Sequence, residues 1–119
     1  MKSIISALAA TSVFVALSNQ AVGASVSWRC EFPSFNEPMT FVAELGSGKG
    51  KVVGNGGTDD VWVVEGTGAI SFLEPLLTGV VQVTTIVLKT GAAAHSRNTL
   101  LSLTDDFVPS QTIGKCKPW

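Results

Sequence analysis

Histidine occurs once in the 119 residues, cysteine twice, and charged side chains make up only 14% of the sequence. Each scarcity removes a class of function. A structural or catalytic zinc site needs three or four His, Cys or carboxylate ligands. With His95 as the lone imidazole, the chain has no further His or Cys to complete one. A net charge of −1, with no block of like charge, leaves no basic patch for nucleic acid and no electrostatic partner. No apolar run reaches the roughly 20 residues that a spanning helix needs. Beyond residue 24 no segment keeps a helical period over three turns, and there is no internal repeat or low-complexity linker.

What the chain does have begins with a leader pattern. Met1-Lys2-Ser3 is a short positive region, Ile4 through Leu17 is apolar and uncharged, and Ser18 through Ala24 is small and polar. Val22-Gly23-Ala24 puts small residues where a signal peptidase reads, so cleavage after Ala24 is expected, with Ala21 as the alternative. No Cys ends the apolar run and no twin arginine precedes it. The pattern therefore predicts a Sec-type signal, not a lipoprotein, and a soluble periplasmic or secreted product. Residues 1–24 are predicted as a signal helix detached from the core, and 25–119 as a single domain. That domain carries seven basic against nine acidic residues, near −2.

Cys30 and Cys116 lie close to the two ends of this domain. In an oxidising compartment two such cysteines usually pair, the alternative being two free buried thiols. A bond would tie the first strand to the last. In the chain-entropy picture so long a crosslink stabilises by roughly 4–5 kcal/mol.

The rest is strand and turn. Gly79 to Gly91 holds the longest run of β-branched residues, which are stiff at χ1 and suit a pleated surface. Val81, Val83, Thr85 and Val87 share its apolar face, while Val80, Gln82, Thr84, Ile86 and Leu88 share a mixed one. Ser25–Phe32 alternates with Val26, Trp28, Cys30 and Phe32 on one side. Further strands are predicted over 39–45, 51–54, 60–65, 69–74, 92–103 and 111–117. Turns fall at Gly46–Gly50, Asn55-Gly56-Gly57, Gly66-Thr67-Gly68 and Lys89-Thr90-Gly91. Pro33–Pro38 is a loop, and Thr104–Gln111 is predicted as a polar loop because Pro109 interrupts it. Trp28, Trp62 and Phe72 are expected in the core, and Trp119 either over the bottom of a barrel or exposed. The pattern predicts an all-β domain, a small antiparallel β-barrel or compact sandwich of about seven to eight strands.

Three constellations invite chemistry. Gly46-Ser-Gly-Lys-Gly-Lys51 resembles a phosphate loop only superficially, because the spacing is wrong and a strand follows; a solvated hairpin turn is expected. His95-Ser96-Arg97 would suit a small hydrolase if Glu74 or Asp60 oriented His95 towards Ser96. Neighbours on a strand point to opposite faces, which speaks against that pairing. Asp59-Asp60 and Asp105-Asp106 are side by side, unlike the carboxylates that flank a glycosidic cleft, and are expected to be solvated turn residues.

Ile70-Ser-Phe-Leu-Glu74, Thr84-Thr-Ile86, His95-Ser-Arg-Asn98, Val108-Pro-Ser-Gln111 and Gly114-Lys-Cys116 together resemble a family of small exported proteobacterial proteins. The resemblance covers about the last half of the domain, with Cys30 as the amino-terminal partner. Members of that family are uncharacterised, so it implies a compact fold and a Gram-negative source and carries no activity. In size, export and disulfide the domain is also similar to periplasmic lysozyme inhibitors, at the level of architecture alone. Glu74, His95 and Arg97 are the candidate binding surface. The expectation is a non-enzymatic binding protein with no cofactor and no metal, its partner a periplasmic or extracellular protein. An inhibitor of a cell-wall hydrolase is the most concrete form of that expectation. A hydrolase using His95 and a lipocalin-like carrier are the alternatives, the carrier disfavoured because so short a barrel nearly fills with its own side chains.

Overall fold

The computed structural model describes residues 23–54 and 56–119. The expected signal helix, up to residue 22, lies outside the described residues. Eight strands follow one another: β1 (Ser25–Glu31), β2 (Met39–Glu44), β3 (Lys49–Gly54), β4 (Gly57–Glu65), β5 (Ala69–Pro75), β6 (Val81–Val87), β7 (Ala92–Leu101) and β8 (Asp106–Pro118). Each pairs antiparallel with its neighbour in sequence, and β8 returns to β1, so the sheet closes as an up-and-down barrel with no sandwich interface. Closure leaves no free edge along the barrel wall.

Cys30 and Cys116 stand directly opposite each other on β1 and β8 and form the disulfide, 86 residues apart in sequence. The bond clamps the seam where the sheet meets itself. Such a bond is consistent with an oxidising, exported location. Trp119 follows β8, donates its N–H to the Ser27 carbonyl at 3.0 Å, and lies exposed with the Arg29 guanidinium 4.4 Å from its ring centroid.

The core fills the lumen around Phe41 and Phe72, whose ring centroids are 5.0 Å apart, with Trp28 meeting Phe72 edge-on at 6.1 Å. Val61, Val63, Ile70 and Ile86 are buried with them. Trp62, expected inside, is 59% exposed. The reason is register. β4 carries apolar residues on both faces, and Val63 pairs directly with the inward Phe72, so Val63 must point inward and Trp62 outward. Gly50 leaves room for Val63 in the lumen, because a Cβ at Gly50 would lie 2.8 Å from a Val63 methyl carbon.

β6 shows the same inversion. Its mixed face supplies the buried Thr84 and Ile86, while Val81 and Val87 on the uniformly apolar face are exposed. Gln82 and Thr84 are thereby turned into the barrel. The strand over 92–103 ends at Leu101, and Thr104–Gln111 is not a loop: β8 starts at Asp106 and runs for 13 residues. Pro109 is tolerated because β8 pairs there with β7 alone, meeting β1 only from Lys115 onward, so its other side is an edge. The outer part of β7–β8 therefore stands as a two-stranded ribbon beyond the barrel wall. Leu103 (98% exposed), Phe107 and Val108 are exposed on it.

Candidate functional site

At the end of the barrel where β3–β4, β5–β6 and β7–β8 turn, inward positions become polar. β5 runs Ile70, Phe72, Glu74 along its inner face, β6 runs Ile86, Thr84, Gln82, and β7 runs Ala93, His95, Arg97. The apolar plug thus gives way within two residues on each strand to an open cavity of about 830 Å³. Glu74, His95 and Arg97 all line it, together with Asp59 and Gln82. The three residues singled out from the sequence meet at one mouth, although Glu74 is separated from the other two by a whole strand.

His95 is 7% exposed. Its Nδ1 is 2.7 Å from the Thr84 hydroxyl, directly across the β6–β7 ladder. Phe32 and Phe35 cover the ring from the loop after β1, at centroid distances of 5.9 and 5.1 Å, Phe35 edge-on. That loop is folded back by the Phe35 N–H donating to the Phe32 carbonyl at 3.0 Å. Burial among these rings, and secondarily the positive charge of Arg97, pushes the imidazole below its ordinary value, so it is neutral at neutral pH. Among the described residues no fully buried side-chain nitrogen lacks a partner, and Nε2 has no hydrogen-bond partner among them. Nε2 therefore opens onto the cavity. Whichever tautomer Thr84 selects, Nε2 meets a ligand as a donor or as an acceptor.

Glu74 accepts a hydrogen bond from Gln82 Nε2 at 2.6 Å. Its carboxyl is raised above the ordinary value, first by burial and then by the neighbouring carboxyl of Asp59, while the Gln82 bond and Arg97 act the other way. Arg97 is exposed at the rim, and among the described residues it forms no ion pair; the salt bridge seen there joins Lys51 and Asp60 at 2.7 Å on the outer surface.

Other expectations resolve in the same geometry. Asp59-Asp60 lies within β4, not in a turn: Asp59 lines the cavity while Asp60 points outward to Lys51, and so does not orient His95. Ser96 points to the outer face, where Gln111 Nε2 donates to its hydroxyl at 3.2 Å, away from the imidazole that the hydrolase reading needs beside it. Gly46 to Lys51 forms the expected hairpin, with Gly46 and Gly48 at φ of 79° and 74° and the Gly46 N–H donating to Glu65 Oε2 at 2.8 Å. The lumen is filled at one end and open at the other, so the expectation that interior side chains crowd out a ligand holds for half of the barrel. Sequence reading missed Asp59, Gln82, Thr84 and Phe35. Period-two counting inward from His95 finds Thr84 only once the β6–β7 register is known, and Phe35 sits in a loop with no period to count.

The molecule is thus a disulfide-closed, eight-stranded antiparallel barrel with an apolar plug and one polar mouth. No protein family, curated protein or solved structure matches the chain.

Proposed function

We propose that this is an exported protein, periplasmic or secreted after removal of a Sec-type signal, that acts by binding at the barrel mouth and performs no turnover. The observation that carries the reading is the convergence of Glu74, His95 and Arg97 from three strands on one cavity within a covalently closed scaffold. Concave, largely preformed sites with a few convergent polar groups are where small molecules and projecting side chains bind. The resemblance to the proteobacterial family belongs to the same proposal, since His95, Arg97, Ser110 and Gln111 of its pattern line the mouth. Against the hydrolase form built on Ser96 stands its place on the opposite face from the imidazole, while Thr84, whose hydroxyl meets Nδ1, is a buried residue.

The inhibitor-like form of this reading is favoured by a separate feature, the β7–β8 ribbon, whose Leu103, Phe107 and Val108 project beside the mouth as an apolar finger for a protein partner.

Amide NMR spectra of the oxidised protein, titrated with ultrafiltered periplasmic extract and separately with its retentate, test both forms. Shifts centred on 34–39, 59, 74, 82 and 95–99 support binding at the mouth. Shifts extending over 101–108 with the retentate alone support the inhibitor-like form. Shifts confined to the opposite end of the barrel, or none, overturn the proposal, as does catalytic turnover that His95→Ala abolishes.

A further inference from the structure

The mouth holds charges of both signs that have not neutralised each other. Arg97 lies on β7 and Glu74 on β5, close enough that each charge acts on the other, yet no ion pair joins them among the described residues. Asp59 stands beside Glu74 on the neighbouring strand β4. The carboxyls thus form one pole and the guanidinium the other, with the Nε2 of His95 opening between the strands that carry them. One flank of the same cavity presents the apolar Phe35, Met39 and Val52, with the exposed Glu37 at its rim.

This arrangement selects by charge. A simple cation attracted to Asp59 and Glu74 is repelled by Arg97, and a simple anion attracted to Arg97 is repelled by the carboxyls. A neutral polyol displaces the water around both poles and supplies no countercharge to either. A molecule with a positive and a negative end satisfies both at once, through charge-assisted hydrogen bonds. Resting on the binding function proposed above, we propose that the cavity takes a small zwitterion, a free amino acid or short peptide. Its carboxylate bonds to Arg97, its ammonium to Glu74 and Asp59, and its side chain lies on the apolar flank. His95 adds a neutral hydrogen bond that fixes orientation, and Gln82 holds the Glu74 carboxylate in place through the bond already formed at 2.6 Å.

Isothermal titration of the oxidised protein, expressed from the full chain and purified after export, tests this. The probes are the proteinogenic L-amino acids, D-alanine and L-alanyl-L-alanine, with ethylamine and propionate as controls that each carry one pole. At least one zwitterion is expected to bind roughly tenfold or more tightly than either control, the discrimination that a charged hydrogen bond commands. Arg97→Gln and Glu74→Gln are each expected to remove that advantage, with melting curves showing that both variants stay folded. Equal binding of a control and the zwitterions, or an advantage that survives both substitutions, overturns the inference. So does silence from every zwitterion. If that silence accompanies extract-induced NMR shifts at the mouth, the binding function stands with a different ligand; silence in both experiments removes both.

Discussion

His95 is the residue whose environment makes the sharpest measurable claim. Its folded-state affinity for protons lies below that of an exposed histidine, because burial among Phe32 and Phe35 disfavours the charged ring and Arg97 adds to that. Below the unfolded value of 6.5 the unfolded chain therefore holds more protons than the native one. Stability rises with pH wherever that is so, and the His95 contribution is lost as pH falls from 6.5 towards the depressed folded value. Glu74 works in the opposite direction: its folded carboxyl is raised above 4.5, so its contribution is present below 4.5 and is lost as pH rises through the raised value. Urea unfolding at a series of pH values is expected to show a declining limb below 6.5 that His95→Gln flattens, while Glu74→Gln leaves that limb in place. Gly114 makes a steric claim instead. A Cβ there would strike the Glu31 carbonyl oxygen and the ring of the buried Phe32. Gly114→Ala is expected to destabilise by about 1–3 kcal/mol, the usual range for overpacking, and to shift the Phe32 ring resonances.

Among the elements, the tip of the β7–β8 ribbon beyond Thr99 and Val108 supplies no residue to the mouth, whereas Arg97, Thr99 and Ser110 at its base line it. Thr99 pairs with Val108, and the eight residues between them include the exposed Leu101, Leu103 and Phe107. Joining Thr99 to Val108 through Asn-Gly makes a two-residue hairpin of the favoured type. Because the side chains removed are exposed except for the half-buried Leu100, and a longer loop goes with them, unfolding free energy is expected to change by no more than about 1 kcal/mol. The same variant is expected to lose the retentate-induced NMR shifts while keeping those from small ligands, if the ribbon is the protein-facing part. A melting temperature that collapses shows instead that the ribbon anchors the barrel wall. The loop from Phe32 to Pro38 is the contrasting case. It has no regular structure, yet it places two aromatic rings on His95 and forms one wall of the mouth.

For the whole molecule, stability turns on the seam. Four residue pairs, Trp28–Pro118 through Glu31–Lys115, join the first strand to the last, no more than on any other ladder of the barrel, and the disulfide sits among them. A domain of this size has a small margin, typically about 5–15 kcal/mol. Replacing both cysteines by serine is expected to remove about 4–5 kcal/mol through loop entropy. The loss should appear as a lower urea midpoint and as faster amide exchange along β1 and β8 than along β5 and β6. Uniform exchange across the sheet would show that the seam is held by its hydrogen bonds and not by the covalent clamp.

The sequence by itself determined the class of fold, the strands of clean alternation, the turns that open at Gly46 and Gly66, and the pairing of Cys30 with Cys116, while the strand expected from Lys51 begins already at Lys49. Those follow from local preference: β-branched residues favour pleated backbone, glycine admits positive φ, and the only two cysteines of a small domain pair where the surroundings are oxidising. Tertiary structure alone decided which face of β4 and of β6 turned inward. On β4 and β6 both faces are apolar enough, so local chemistry is indifferent. The choice falls to the ladder, which sets Val63 against Phe72 and Thr84 against His95, and so sends Trp62 out and Gln82 in. Pro109 was misleading for the same reason, since a proline excludes an inner strand but not an edge, and only closure of the barrel defines which segment is edge. Glu74, His95 and Arg97 could be picked from the sequence as polar residues within the domain. Their meeting with Asp59 at a single mouth depends on strands β4 to β7 lying side by side, a fact of pairing that no single segment contains.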